Sequence, residues 1–437
     1  MKRLIASRTN KPIEGEVSTL AADKSISHRA AIFSLLSDQP STVENFLEAE
    51  DTLGSLSIAK ALGATVSLSN GIYTITPPTK IVEPSDTLDC GNAGTAMRIY
   101  AGLLAAKEGF FVLSGDRYLN HRPMRRVVAP LRSIGANIDG REGAAYAPLA
   151  IRGNRALGAF NYQSSVASAQ VKSAMILAAL SASGESRFSE PELSRDHTER
   201  MLQAMGASIK RSDNTVTIAA TRRALKPLLI RVPADPSSGF FFAVAAAITR
   251  GSDLLLKGVT LNPTRIEAYK VLRDMGARVE FLERENIYEP IGDIRIGYGG
   301  LNAIAISERI SWLIDELPAL AIAFSFANGT SRVTGAQELR VKESDRIKSI
   351  VANLKLCGVQ ASELPDGFEI TGQREMNGGA IDSFGDHRIA MSFAIASLGA
   401  TTPMIINDTA CIATSFPNFV EIFSAIGGSL EECVIAD

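Results

Sequence analysis

Residues 237–248 read Ser-Ser-Gly-Phe-Phe-Phe-Ala-Val-Ala-Ala-Ala-Ile. Wound as a helix, this stretch is apolar around its whole circumference, and such a helix is stable only inside a core. Its polar start, Ser237-Ser238-Gly239, is the part that has to meet water. Five other stretches repeat the arrangement, a polar or charged cluster opening into an Ala-rich apolar segment. They are Lys24-Ser25-Ile26-Ser27-His28-Arg29, Asn92-Ala93-Gly94-Thr95-Ala96-Met97-Arg98, Ser168-Ala169-Gln170, Asp315-Glu316-Leu317 and Asp386-His387-Arg388.

A second series runs in phase with the first: Leu62-Gly63-Ala64, Ile134-Gly135-Ala136, Met205-Gly206-Ala207, Met275-Gly276-Ala277, Cys357-Gly358-Val359 and Ile426-Gly427-Gly428. Each glycine lies roughly 40 residues after a polar cluster, and the glycines recur about every 70 residues. They close segments with one apolar stripe, as glycine does at C′, where a positive φ carries no Cβ penalty. Strand residues follow, among them Val66, Ile138, Ile209 and Val279, with further strands expected at Gly71–Ile75, Thr215–Ile218 and Phe368–Ile370. Six α/β units result, each with one buried and one surface helix. An open solenoid has no place for helices buried on all sides. Three units closed around their own three buried helices make a compact lobe, so six units make two. The main boundary is expected at Val232-Pro233-Ala234-Asp235-Pro236, where two prolines interrupt the pattern.

At 437 residues the chain is long enough for roughly two to four domains. Its 45 Lys+Arg nearly balance 47 Asp+Glu, for a net charge of -2, which excludes a protein whose whole surface binds nucleic acid. No apolar run approaches the ~18 residues of a membrane span, and the basic start MKRLIASRTNKPIEGE lacks the apolar stretch of a secretory signal. A cytoplasmic location with no membrane partner is the expectation. Cys90, Cys357, Cys411 and Cys433 are scattered, which encodes neither a disulfide framework nor a zinc site. His28, His121, His197 and His387 sit beside charged or hydroxyl residues near helix starts and read as hydrogen-bonding groups rather than a metal cluster. Lys172 does not stand in Ser-x-x-Lys spacing from Ser168, Trp312 reads as packing, and Arg222-Arg223 reads as a solvated turn.

A helix N-terminus offers unpaired N–H groups and about half a positive charge, and so attracts anions. Lys24, Arg29, Arg98, Arg122, Arg195, Lys342, Arg346 and Arg388 stand at or near the six helix starts of a nearly neutral chain. The planar fork of arginine suits carboxylate and phosphate. The expected ligand is a small molecule, or a pair of them, carrying several negative charges.

At these residues the chain resembles the enolpyruvyl transferase family, in the branch that acts on shikimate 3-phosphate. The resemblance spans nearly the whole chain and rests on Asp23–Arg29, Gly91–Arg98, Arg122-Pro123-Met124, Ser168–Ala174, Arg195–Glu199, Asp315-Glu316, Arg340–Arg346 and Gly385–Arg388 in this order. It implies two lobes of three α/β repeats around buried parallel helices, an inside-out α/β barrel. One lobe is residues 1–22 with 237–437 and the other residues 23–236, joined by two crossings. It also implies transfer of the enolpyruvyl group of phosphoenolpyruvate to the 5-hydroxyl of shikimate 3-phosphate through a tetrahedral intermediate, on the route to chorismate and the aromatic amino acids. No metal or organic cofactor is implied, and the enzyme is expected to be a monomer.

By the same resemblance, Ser25 and Arg29 hold the shikimate carboxylate, Ser168, Ala169, Arg195 and Lys342 surround its phosphate, and Gln170 lies over the ring. Lys24, Gly94, Arg122, Arg346 and Arg388 hold phosphoenolpyruvate, with Gln170 beside it. Asp315 binds the ring hydroxyls and takes a proton, Glu343 works at the methyl carbon, and Lys24 lies near the departing phosphate. The trianionic substrate is expected to draw the two cationic lobes together. The chain departs from the family pattern at Ala21-Ala22, where Pro-Gly is usual, and at Thr414, where many members have lysine. Gly94 stands where some glyphosate-tolerant members have alanine, so glyphosate is expected to fit. Two rivals are weighed: the related transferase acting on UDP-N-acetylglucosamine, which carries a loop cysteine, and a non-catalytic anion binder, which gains nothing from Asp315 and Glu343.

Overall fold

The computed structural model describes residues 2–154, 157–221, 223–286 and 288–434. The chain forms two compact units, one of Met1–Ala21 with Pro233–Asp437 and one of Ala22–Val232. From sequence alone the divisions fall at 22/23 and 236/237. Asp235 and Pro236 belong to the start of helix Pro236–Ile248, where Asp235 accepts the Ser237 N–H at 2.8 Å and proline occupies a first-turn position that needs no donor.

Among the described residues each unit holds three four-stranded sheets, all built on one plan. In the unit of residues 22–232, strand Leu88–Asp89 leads through helix Gly94–Ala105 to a parallel strand, Gly109–Ser114. Helix Arg125–Ser133 follows, then Asn137–Gly140 and Tyr146–Gly153, the last pairing antiparallel with Gly109–Ser114. Phe111 and Leu113 are fully buried while Phe110 beside them is exposed, so the strand's period of two sets its inner face. Some sheets borrow a strand from far along the chain. Leu229–Arg231 completes the sheet of Ser41–Glu44, and in the other unit Lys2–Ser7 lies between Met404–Asn407 and Ser429–Val434. Glu14–Val17 likewise pairs with Asp253–Thr260.

The six glycines read as helix ends, Gly63, Gly135, Gly206, Gly276, Gly358 and Gly427, all have φ between +74° and +118°. The strands expected near residues 71, 215 and 368 are present as Ile72–Thr76, Thr215–Ile218 and Gly367–Thr371. The Ala-rich segments form the buried helices Lys24–Phe33, Gly94–Ala105 and Ala169–Ala179 in one unit, and Pro236–Ile248, Leu317–Ser325 and His387–Ala396 in the other. The last three pack on one another. Phe242 stacks on Phe419 with ring centroids 5.6 Å apart, and burial of each such ring stabilises by roughly 1.5–3 kcal/mol.

Small residues let these helices approach closely. A Cβ at Gly102 would overlap the backbone carbonyl and Cα of Ala174 in helix Ala169–Ala179. Since backbone cannot swing aside, Gly102→Val is expected to lower stability by about 1–3 kcal/mol or prevent folding. An unchanged urea midpoint would contradict this contact.

Candidate active site

In the unit of residues 22–232, three helix starts carry the polar side chains. Asp23 caps the helix of Lys24, accepting the Ile26 N–H at 2.9 Å. Lys24 extends its ammonium to Asp51 Oδ2 at 2.5 Å, and Arg29, one turn further, is almost wholly buried. Arg29 donates from Nε to Thr198 Oγ1 at 2.7 Å, from Nη2 to Ser173 Oγ at 2.8 Å and from Nη1 to the Ser25 carbonyl at 3.0 Å.

The second helix begins at Gly94. A Cβ there would stand 2.8 Å from Arg98 Nη1 and 3.2 Å from Arg122 Cζ, so two guanidinium groups converge on a helix start that only glycine leaves open. The fully buried Arg98 donates to Gln170 Oε1 at 2.6 Å and to the Pro123 carbonyl at 3.2 Å. Arg122 donates to the Asn92 carbonyl at 3.3 Å. The buried Ser168 immediately precedes the third helix, whose first residues are Ala169 and Gln170, and Gln170 donates to Thr95 Oγ1 at 2.9 Å. Gln170 thereby bridges the second and third helices. Arg195 is half-buried in the turn before helix His197–Ala204.

The other unit gathers Arg346, Asp315, Glu343, Asp386 and Arg388. The Arg346 guanidinium lies 2.7 Å from Glu343 Oε2, 3.4 Å from Asp315 Oδ1 and 2.8 Å from Asp386 Oδ2. Its burial disfavours charge, yet Asp386, Glu343 and Asp315 outweigh that and hold its pKa above the ordinary value, so it is a permanent cation. Arg388 donates to the Asp315 carbonyl at 2.8 Å. Asp386 also caps the helix of His387, accepting the Arg388 N–H at 2.9 Å. Lys342, which the resemblance groups with Ser168, Ala169 and Arg195, lies in this unit, its Nζ 3.0 Å from Glu338 Oε1.

Arg98 was counted among the cations at the helix starts without a ligand of its own; standing four residues after Gly94, it shares that residue's helix face. Other contributors were not singled out. Asp51 had no such signal, being 27 residues from Lys24 and on another helix. Lys172 is fully buried between Glu190 at 2.8 Å and Glu199 at 2.9 Å. Burial works against its charge, but the two carboxylates raise its pKa, which makes it a poor base for any neighbouring serine. Cys90 and Cys357 are buried core residues, the latter with its thiol pushed up to about 11 by burial. Thr414 turns its hydroxyl back to the Cys411 carbonyl at 2.7 Å. Trp312 lies under the Arg309 guanidinium, Arg223 is exposed, and Arg222 falls outside the described residues. Among the described residues no three of His, Cys, Asp and Glu gather as metal ligands.

Comparison with known proteins adds a family to this geometry. The family model described as EPSP synthase (3-phosphoshikimate 1-carboxyvinyltransferase) matches residues 7–423. A 3-phosphoshikimate 1-carboxyvinyltransferase from a Nitratiruptor species is 61% identical over 414 residues, 94% of this chain and 95% of that protein. One from Campylobacter curvus is 59% identical over 423 residues, 97% of this chain and 99% of that one. Among solved structures, an EPSP synthase from Acinetobacter baumannii superposes with a TM-score of 0.87 at 39% identity, covering 99% of this chain and 100% of its own.

His28 gives the site a titratable reporter. It is fully buried, with Nδ1 2.8 Å from Ser55 Oγ and no hydrogen bond at Nε2. Burial, then Lys24 and Arg29, push its pKa well below the usual histidine value. The unfolded chain takes up a proton near pH 6.5 that the folded chain refuses, so this contribution to stability is present above that pH and is lost on acidification. Urea unfolding from pH 7.5 to 5.5 is expected to show a slope of up to about 1.4 kcal/mol per pH unit from this group. His28→Gln should flatten that part of the curve, and an unaltered curve in the variant would contradict the assignment.

Proposed function

Since the chain belongs to the EPSP synthase (3-phosphoshikimate 1-carboxyvinyltransferase) family, we propose how its residues divide the work of that reaction. The enzyme transfers the enolpyruvyl group of phosphoenolpyruvate to the 5-hydroxyl of shikimate 3-phosphate, releasing phosphate. Ser25 and Arg29 bind the shikimate carboxylate. Ser168, the Ala169 N–H, Arg195 and Lys342 bind its phosphate, and Gln170 lies against the ring. Phosphoenolpyruvate is held by Lys24, the Gly94 N–H, Arg122, Gln170, Arg346 and Arg388. These residues are drawn from both units.

Addition needs the 5-hydroxyl proton removed and the methylene carbon of phosphoenolpyruvate protonated to a methyl group. Elimination then removes a methyl proton as phosphate leaves with the C–O bond pair. Asp315 is assigned to the ring hydroxyls, Glu343 to the methyl carbon and Lys24 to the leaving phosphate. The observation that carries this reading is the pair of carboxylates, Asp315 and Glu343, on the single buried guanidinium of Arg346. A protein that only bound anions would be weakened by carboxylates in its cationic site, whereas proton transfer requires them. The same reading makes the protein a cytoplasmic monomer with small-molecule substrates, neither nucleic acid nor membrane as partner, and no cofactor. No helix among the described residues is long and apolar enough to cross a membrane.

Phosphate release with phosphoenolpyruvate is expected with shikimate 3-phosphate and not with UDP-N-acetylglucosamine; the reverse preference would overturn the reading. Asp315→Ala should lose about 10²–10⁴ in kcat, the span typical of a general acid or base, while still binding shikimate 3-phosphate. Full turnover in that variant would remove Asp315 from the chemistry.

Gly94→Ala places a methyl group against Arg98 and Arg122, where phosphoenolpyruvate and glyphosate are proposed to compete. Inhibition by glyphosate should weaken by about tenfold or more, corresponding to roughly 1.4 kcal/mol. Equal inhibition of both proteins would contradict the placement.

A further inference from the structure

Two hydroxyl groups that touch no proposed ligand tie Arg29 to the start of the third buried helix. Ser173 Oγ donates to the Ala169 carbonyl at 2.6 Å, one turn back along its own helix. Its single proton is thereby placed, so the 2.6 Å contact between Ser173 Oγ and Thr198 Oγ1 has Thr198 as donor. Thr198 Oγ1 accepts from Arg29 Nε, and Ser173 Oγ accepts from Arg29 Nη2. The result is a directed chain, Arg29 to Thr198 to Ser173 to the Ala169 carbonyl, with a second bond from Arg29 to Ser173. Arg29, Ser173 and Thr198 are each at most 3% exposed, so water cannot replace a missing link.

We propose that Thr198 is a positioning residue which, with Ser173, fixes the Arg29 guanidinium relative to the helix start at Ala169. This rests on the reading above, in which Arg29 takes the carboxylate of shikimate 3-phosphate and Ala169 its phosphate. On that reading the hydroxyl chain sets the spacing between two anion subsites. It acts as a gauge for a ligand carrying a carboxylate and a phosphate at a fixed separation. The guanidinium has a rotatable stem, and a charge alone would not hold it in one plane. Two acceptors, Thr198 Oγ1 and Ser173 Oγ, do so by taking the N–H groups of Nε and Nη2 on one edge of its fork. Thr198 reaches this place because helix His197–Ala204 starts immediately after the turn that carries Arg195, so one short segment supplies both a phosphate ligand and the carboxylate gauge.

The test is a double-mutant cycle in the full-length enzyme, with shikimate 3-phosphate as the varied substrate. Thr198→Val keeps the shape but removes the acceptor for Nε and the donor to Ser173. It should raise the KM for shikimate 3-phosphate by about tenfold or more, the effect of leaving a buried charged donor without its acceptor, with the KM for phosphoenolpyruvate unchanged. Thr198→Ser should restore near-normal values. In an Arg29→Ala background, Thr198→Val should add no further loss. An equal loss in that background, a loss in Thr198→Ser as large as in Thr198→Val, or an unchanged KM in Thr198→Val would overturn the proposal. If Thr198→Val does not fold, Ser173→Ala must show the same coupling to Arg29, and additive losses would be decisive against it. Normal KM for shikimate 3-phosphate in Arg29→Ala would instead sink the underlying ligand assignment, and this inference with it.

Discussion

A helix that is apolar on every side has no polar face, so its polar groups are confined to its ends. That constraint organises each unit of this protein. Three such helices fill a core, and their length is spent inside it. Their first residues then become the place where polar side chains collect. The macrodipole and the unpaired N–H groups of those ends favour anions, and Lys24, Arg29, Arg98 and Arg388 add cationic side chains there. Two of these cations have counter-charges at hand, Asp51 for Lys24, and Asp386, Glu343 and Asp315 for Arg346.

The two units use their helix starts differently. In residues 22–232 the cations are held by neutral acceptors, including hydroxyls, the Gln170 amide and backbone carbonyls, while Lys24 is paired with Asp51. In the other unit Arg346 and Lys342 are held by carboxylates, and Arg388 donates to the Asp315 carbonyl. Neutral acceptors orient a guanidinium without cancelling its charge, which suits binding. Carboxylates partly cancel it but bring groups able to exchange protons. The proposed division between ligand binding and proton transfer follows this difference in counter-groups.

The architecture was legible because its signals are local. A glycine at a helix end reports a backbone conformation of its own residue, and all six took it. The all-apolar helices likewise announce burial from their own composition. The strand order was less accessible: nothing in Leu229–Arg231 names Ser41–Glu44 as its neighbour. The site divides the same way. Residues in helix-start motifs, such as Gly94, Arg346 and Arg388, stand out by position, and the identity of their roles came from family resemblance. Their partners do not stand out, because the bonds of Arg29 to Ser173 and Thr198 span 144 and 169 residues. Lys342 shows the opposite case, a lysine four residues after Glu338 whose pairing is visible as helical spacing, a signal that says nothing of a ligand role.

The sheet that contains Lys2–Ser7 has a temporal side. Lys2–Ser7 leaves the ribosome long before the neighbours on either side of it, Met404–Asn407 and Ser429–Val434, have been made. At roughly 5–20 residues per second the early strand waits on the order of 20–90 s for them. The unit of residues 22–232 is continuous in sequence, with all its strands in hand long before then. Vectorial synthesis therefore delivers one finished unit while the other is still an open edge, and an unpaired β edge is a template for mispairing. That edge stays open until Met404–Asn407 and Ser429–Val434 arrive to cover both its sides.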